Sequence, residues 1–157
     1  MMVVVEKFCI REEEIELSKF RSTLSVYLSG PITHVEPSWR ADIAEDLEKI
    51  GRENSISVQV YIPEESENES DKYIINRDLE AIEKSDLIIS YVFSETFGTP
   101  MEIFYSYHVL RKTTFVVCTF RKVSPWLTGN STRLFKTIKG FFAFWDRYLK
   151  ENYGGAD

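Results

Sequence analysis

Hydrophobic residues along the chain fall into short continuous runs and longer amphipathic stretches. Continuous apolar and β-branched runs are typical of strands that are buried on both faces of a sheet. Apolar positions three or four residues apart, such as Trp39, Ile43 and Leu47, indicate helices with one face against that sheet. The pattern predicts strands over 24–29, 56–62, 87–93, 113–120 and 133–135, and helices over 37–53, 71–84, 100–111 and 137–151.

Strands that alternate with helices predict an α/β fold, with a doubly wound parallel sheet and helices on both faces. Five strands suffice for a flavodoxin-like order, in which a ligand crevice lies where the strands beginning at Leu24 and Leu87 diverge. We expect one such domain over 23–151 and a fraying tail over 152–157. Residues 1–22 are expected to form an additional strand and a short helix whose role the sequence does not indicate.

Composition narrows the class of protein. With 157 residues and 43% hydrophobic content, the chain is long enough for a packed core. Its net charge of −6 makes nucleic acid an unexpected partner. No apolar run is long enough to span a membrane. The two cysteines, Cys9 and Cys118, lie in apolar runs, and we expect both to be buried thiols of a cytoplasmic protein. His34 and His108 lack ligand spacing, so we expect no metal site.

The run from 87 to 110 is the most informative stretch, because a buried strand is followed by a polar turn and a helix start signal. Thr99 and Glu102 have the spacing of a capping box, in which the glutamate would bond its own helix's amides, and the local sequence favours that structural role. The alternative places the same carboxylate at the crevice as a nucleophile, kept ionised by the positive end of the helix. Local sequence does not separate the two roles.

Two further residues have the chemistry of a site. Asp78 lies on the core-facing side of its predicted helix, so its carboxylate must be paired, with Arg77 or a loop N–H, or must serve as a second site carboxylate. Tyr27 lies near the end of the predicted strand 24–29 at the crevice and is either an ordinary core aromatic or a hydroxyl that bonds a carboxylate there. Apolar residues also surround nearly the whole predicted helix 100–111, and only a second subunit would cover its outer half. We therefore expect a homodimer or a higher homo-oligomer.

In four pieces, the chain resembles the nucleoside 2-deoxyribosyltransferase family. These are the run from Tyr27 to Ile32, the pair Trp39 and Arg40, the segment from Asp78 to Asp86, and the run from Gly98 to Ile103. The resemblance implies an enzyme that binds a nucleoside or nucleotide and a free base, needs no cofactor, and passes the sugar to another base through a covalent glycosyl-glutamate intermediate. It makes Glu102 the nucleophile, Tyr27 the residue that orients it, and Asp78 the residue that assists the departing base. The residues expected to bind substrate are Ser29, Gly30, Pro31, Ile32, Thr96, Gly98, Thr99, Met101 and Asn130.

The resemblance also implies a site shared between subunits, with the loop around Asn130 as the segment donated to the neighbour. One position departs from the transferases. The transferases carry an aspartate two residues before the glycine that corresponds to Gly98, where this chain has Thr96. Relatives that hydrolyse nucleoside 5′-monophosphates use a hydroxyl residue at this position, since a carboxylate would repel the phosphate. A (deoxy)nucleoside 5′-monophosphate N-glycosidase is therefore the alternative enzyme.

Two readings without catalysis remain open. A nucleotide-binding module on the same fold would bind nucleotide without releasing base. A purely structural role would leave Glu102 as a helix cap and Asp78 as a member of a core ion pair.

Overall fold

The computed structural model describes residues 22–32, 35–64 and 68–154. These residues form a five-stranded, all-parallel sheet in the order β2-β1-β3-β4-β5, which confirms the predicted flavodoxin-like order. The strands are β1 (Ser22–Ser29), β2 (Ile56–Tyr61), β3 (Leu87–Val92), β4 (Thr113–Cys118) and β5 (Arg133–Phe135). The helices are α1 (Trp39–Glu53), α2 (Asp71–Lys84), α3 (Gly98–Phe104), α4 (Pro125–Thr128) and α5 (Ile138–Tyr153). The expected strand and helix within 1–22 lie almost wholly outside the described residues.

Helices α1 and α5 cover one face of the sheet. Trp39, Ile43 and Leu47 of α1 pack in one buried cluster with Phe141 and Trp145 of α5, as the spacing in α1 predicted. This cluster also takes the side chains of alternate β1 residues, Leu24, Val26 and Leu28. The remaining β1 positions, Tyr27 and Ser29, therefore point to the opposite face.

Helices α2 and α3 lie on that opposite face. Ile82 of α2 packs with Tyr27 and Ile88, and Ile103 of α3 packs with Val92 and Val116. Ser70, which directly precedes the predicted helix 71–84, caps α2 by accepting a hydrogen bond from the Tyr73 amide. The spacing of Ile75, Leu79 and Ile82 predicts an inward apolar stripe on α2. This prediction is wrong at Ile75, which is exposed, because the inward line of the helix runs through Asp78 and Ile82.

The segment after β3 departs most from the sequence expectation. Helix α3 begins at Gly98, two residues before the predicted start, and after Phe104 it continues as a π-helix over Tyr105–Val109. Pro100 is tolerated because the first amides of a helix need no partner within it. In the π segment, the buried Ser106 hydroxyl bonds Thr114 Oγ1 at 2.8 Å, which ties the widened turn to β4. The loop predicted over 121–131 contains the short helix α4, whose signal was Ser124 as cap followed by Pro125.

Candidate active site

Glu102 is the fifth residue of the seven-residue helix α3, and its carboxylate faces the carboxyl end of β1. Oε2 accepts a hydrogen bond from the Tyr27 hydroxyl, and Oε1 accepts one from Ser29 Oγ at 3.3 Å. Tyr27 and Ser29 are two residues apart on one strand, so both side chains leave the sheet on the same face. The carboxylate is therefore fixed by the strand that borders the topological switch point of the sheet, where ligands of this fold class bind.

The capping box favoured by the local sequence is not formed. The residue that precedes α3 is Phe97, and among the described residues no side chain caps this helix end. Thr99 lies inside the first turn, and its hydroxyl is 3.4 Å from that of Thr96. Glu102 is thus committed to a contact between helix and sheet, and its expected role as a helix cap is wrong.

The surroundings of Glu102 bring its titration close to neutral pH. Burial raises the pKa of this carboxyl to about 7, with the negative charge of Asp78 adding to the rise. The hydrogen bonds from Tyr27 and Ser29 and the charge of Arg40 act in the opposite direction. Burial, together with the adjacent Glu102 charge, raises the pKa of Tyr27 far above its ordinary value. The tyrosine is therefore a permanent donor, and the glutamate is the group that changes protonation.

Asp78 is paired with Arg77, which is one of the two roles that its position suggested. Arg77 Nε donates to Asp78 Oδ1 at 3.1 Å, and the aspartate side chain is only 16% exposed. Arg77 is itself held by Glu69 and by the Glu64 carbonyl. Burial raises the pKa of Asp78 although the bond from Arg77 opposes the rise. The charge of Asp78 also raises the pKa of both Glu102 and Tyr27, so this ion pair lies within the electrostatic reach of the site.

Two residues of this environment were missed by the sequence reasoning as parts of a site. Tyr61, at the end of β2, stacks on Tyr27 with ring centroids 5.6 Å apart and an interplanar angle of 19°. Arg77 orients Asp78, and its position next to the aspartate was the available signal. Tyr61 gave no comparable signal, because only the pairing of β1 with β2 brings it to Tyr27.

The loop after β1 contributes backbone to the site. A Cβ at Gly30 would lie 2.4 Å from the Trp39 ring and 2.9 Å from the Tyr91 carbonyl, so glycine is required there. The Pro31 carbonyl accepts from Trp39 Nε1 and from Arg40, each at 3.1 Å. A cavity of about 360 Å³ opens beside this loop, and Ile32, Val35, Pro37, Trp39, Arg40, Ile62, Pro63 and Glu64 line it.

The other expected substrate residues occupy different surroundings. Met101 points to solvent from the outer side of α3, and Gly98 has open space on the side where a Cβ would stand. Asn130 is buried, and its amide donates to the Trp126 carbonyl at 2.9 Å. It borders a groove of about 310 Å³ with Phe104 and His108, on the outer side of α3 and α4. Within one chain, Asn130 is therefore not brought to the Glu102 carboxylate.

Across 22–32, 35–64 and 68–154, no three His, Cys, Asp or Glu side chains come together as a potential ligand set. His108 stacks on the Phe104 ring, and His34 lies outside the described residues. Cys118 is a buried free thiol, as predicted, and Cys9 lies outside the described residues. No helix in the described part of the chain is long and apolar enough to cross a bilayer.

Comparison with protein-family models gives a match over residues 23–122 to the family described as nucleoside 2-deoxyribosyltransferase like. The chain belongs to this family. The matched range runs from β1 through α3 and β4, and it contains Tyr27, Asp78 and Glu102. Comparison with curated proteins gave no match.

Solved structures share the fold of this deoxyribosyltransferase-like chain. A 2-desoxiribosyltransferase from Leishmania mexicana superposes with a TM-score of 0.58 at 17% identity, over 83% of this chain and 99% of that protein. The CMP N-glycosidase BcmB from Clostridium botulinum superposes with a TM-score of 0.55 at 19% identity, over 80% of this chain and 99% of that protein. At such low identity the two likenesses establish a common architecture.

Proposed function

We propose that this chain cleaves the N-glycosidic bond of a (deoxy)nucleoside and transfers the sugar to another base, through a covalent intermediate on Glu102. The observation that carries the proposal is the pair of hydrogen bonds from Tyr27 and Ser29 to the Glu102 carboxylate. They direct a carboxylate toward the crevice where a substrate of this fold class binds. Membership of the deoxyribosyltransferase-like family supports the same reaction class.

In the first step, a Glu102 oxygen forms a bond to the anomeric carbon as the bond from that carbon to the base nitrogen breaks. The electron pair of the broken bond stays on the base, which takes a proton from Asp78. The elevated pKa of Asp78 supports this role, because a carboxyl with a raised pKa is a competent general acid. The transition state resembles an oxocarbenium ion, as in retaining glycosidases, and the ionised glutamate stabilises its positive charge.

In the second step, a nitrogen of another base attacks the anomeric carbon from the side the first base has left. The Glu102 ester bond breaks, its electrons return to the carboxylate, and Asp78 takes up the proton of the incoming base. Tyr27 stays protonated throughout because burial and the adjacent carboxylate raise its pKa. Its hydroxyl thus holds Oε2 in place while the charge on Glu102 disappears and returns.

Hydrolysis of a nucleoside 5′-monophosphate is the second candidate reaction. It is favoured by Thr96 and Thr99, whose hydroxyl oxygens are 3.4 Å apart at the amino end of α3. Two hydroxyls beside a helix N-terminus can donate to a phosphate, where a carboxylate would repel it. In this reaction water attacks the glycosyl-glutamate in place of a second base.

A second copy of the chain is part of the proposal. Apolar side chains of α3 and its π-helical extension, Met101, Phe104 and Val109, remain exposed in one subunit, as does Trp126 of α4. Contiguous exposed apolar surface of this kind marks an interaction site. A homo-oligomer formed through this face would bury the Trp126–Asn130 segment against its neighbour, where Asn130 can complete the neighbouring site.

The test is incubation with deoxynucleosides and with their 5′-monophosphates, each with and without a free purine, followed by chromatography. A transferase forms a new nucleoside only when the free purine is present, and a hydrolase releases base without it. Glu102→Ala should lower either rate at least about a thousandfold, since it removes the nucleophile. Glu151→Ala, which removes an exposed carboxylate on α5, is the matched control and should leave the rate unchanged. Undiminished turnover in Glu102→Ala would contradict the mechanism, and binding without base release would favour a nucleotide-binding module.

A further inference from the structure

Ser90, in the middle of β3, has a hydroxyl without a protein partner. Its side chain is completely buried, and its Oγ is the only buried side-chain nitrogen or oxygen in the described part of the chain that makes no hydrogen bond. Its neighbours on the same face of β3, Ile88 and Val92, are aliphatic. A buried hydroxyl without a partner costs stability, so its presence among aliphatic residues calls for a reason.

The position of Ser90 relates it to the carboxylate site. Ser90 pairs in register with Ser29 of β1, and both side chains leave the sheet on the face covered by α3. Neighbouring strands are about 4.8 Å apart, so rotation of one serine about its Cα–Cβ bond brings the two hydroxyl oxygens within hydrogen-bonding distance. Ser29 gives its one hydrogen to Glu102 and keeps two lone pairs that can accept.

We propose that Ser90 is a positioning residue of the Glu102 site, whose hydroxyl donates to Ser29 Oγ while Ser29 donates to Glu102. Hydroxyls joined in such a chain polarise one another, so the last bond of the chain becomes stronger than an isolated one. The chain favours the ionised carboxylate and fixes the orientation of Oε1. The effect of these linked hydrogen bonds on catalysis rests on the proposed function, whereas the hydrogen bonds themselves do not depend on it.

Other side chains also act on the Glu102 carboxylate, so the contribution of Ser90 must be isolated by substitution. Tyr27 of β1, Asp78 of α2 and Arg40 of α1 all act on Glu102, and Ser29 is its second donor. None of these residues is changed by a substitution at Ser90. A difference between Ser90 variants therefore reports the hydroxyl of that serine.

The experiment follows the titration of the Glu102 carboxyl by ¹³C NMR on protein labelled at glutamate, with Glu102→Gln to assign the resonance. Ser90→Ala should raise the titration midpoint by about 0.3 pH units, the size expected for cooperative strengthening of one charge-assisted bond. Ser90→Thr keeps the hydroxyl on a side chain suited to a strand and should retain the original midpoint. In a Ser29→Ala background, Ser90→Ala should have no further effect, because the chain is already broken.

The proposal is overturned if Ser90→Ala leaves the midpoint unchanged, or if it shifts the midpoint equally with and without Ser29. A higher melting temperature of Ser90→Ala, with an unaltered midpoint, would identify an ordinary unpaired hydroxyl and would also overturn it. The titration does not require turnover. A shifted midpoint in a protein that releases no base would support the role of Ser90 and contradict the proposed reaction.

Discussion

The Tyr27 hydroxyl donates a hydrogen bond to Glu102, joining β1 to α3 across 75 positions of the sequence. The ring of Tyr27 is fully buried, and its pKa is raised by burial and by the adjacent carboxylate. The tyrosine therefore remains protonated at neutral pH, where its hydroxyl donates to the carboxylate. Changes of protonation near neutral pH fall on Glu102, whose pKa is raised to about 7.

This assignment predicts the pH dependence of the proposed reaction. A nucleophilic carboxylate must be ionised and the acid that protonates the base must keep its proton, so kcat/KM should pass through a maximum, with one limb at the Glu102 midpoint of about 7. Tyr27→Phe removes a bond that lowers the pKa of Glu102, and it should move the midpoint upward. Asp78→Asn removes a charge that raises the same pKa, and it should move the midpoint downward while also slowing base release.

The measurement is base release under kcat/KM conditions from pH 5 to pH 9, in buffers of constant ionic strength. Glu95→Gln provides a control, because it removes an exposed carboxylate near the site without touching the hydrogen bonds to Glu102. A midpoint that stays in place in both the Tyr27 and the Asp78 variant would show that another group controls the profile.

The same raised pKa predicts how stability varies with pH. Between the ordinary glutamate value of 4.5 and about 7, the folded protein binds more protons at Glu102 than the unfolded chain does. Because stability falls with pH wherever the folded state binds more protons, the free energy of unfolding should decrease across this window. Glu102→Gln carries no titrating group and should show a flatter dependence. Urea unfolding of both proteins at pH 5 and pH 8 measures the difference, and parallel curves would contradict the raised pKa.

Much of this fold follows from short-range sequence signals. Buried parallel strands are continuous apolar runs, so the strand that begins at Leu87 could be located from composition alone. The cap at Ser70 and the inward face of α1 also follow from local sequence signals, because each depends on residues within a few positions of one another. The sheet order then followed from the regular alternation of strands and helices.

The parts that failed depend on contacts between distant segments. The spacing of Thr99 and Glu102 is the same whether the carboxylate caps its helix or bonds Tyr27, and only the packing of α3 on β1 decides between them. The π-helical turn likewise depends on the bond between Ser106 and Thr114 of the next strand. Ile75 had the right spacing for an inward position, but α2 turns Asp78 inward in its place. Chemistry and position made Tyr27, Asp78 and Glu102 candidates, but their roles in one site were assigned through resemblance to a family, since no local signal links the three.

The two glycines that flank the site predict opposite outcomes for the same substitution. Gly30→Ala places a methyl group 2.4 Å from the Trp39 ring and 2.9 Å from a backbone carbonyl, and it should destabilise the fold by about 1–3 kcal/mol. At Gly98 the added carbon would have no described atom within 4 Å beyond its chain neighbours and its own helix backbone, so Gly98→Ala should leave the melting temperature unchanged or slightly raise it. Thermal unfolding compares the two variants. If Gly98 borders the substrate, its alanine variant should lose activity without losing stability, and equal destabilisation of both variants would contradict the packing described for Gly30.

The exposed apolar face of α3 and α4 predicts that the chain associates with itself. Met101 of α3 is 70% exposed and Trp126 of α4 is 71% exposed. The other faces of these two helices are buried in the core. Light scattering at micromolar concentration should therefore give a multiple of the 18.4 kDa chain mass. Met101→Asp and Trp126→Asp should shift the distribution toward the monomer, because each places a charge in an apolar interface. Ile75→Asp is the matched control, since Ile75 is 55% exposed on α2, away from this face, and it should leave the mass unchanged.

If the site is shared, the two interface variants should lose activity in proportion to their loss of association and recover it at higher protein concentration. A wild-type chain that is monomeric under these conditions would contradict the interface, and full activity of that monomer would contradict the contribution of Asn130 to a neighbouring site.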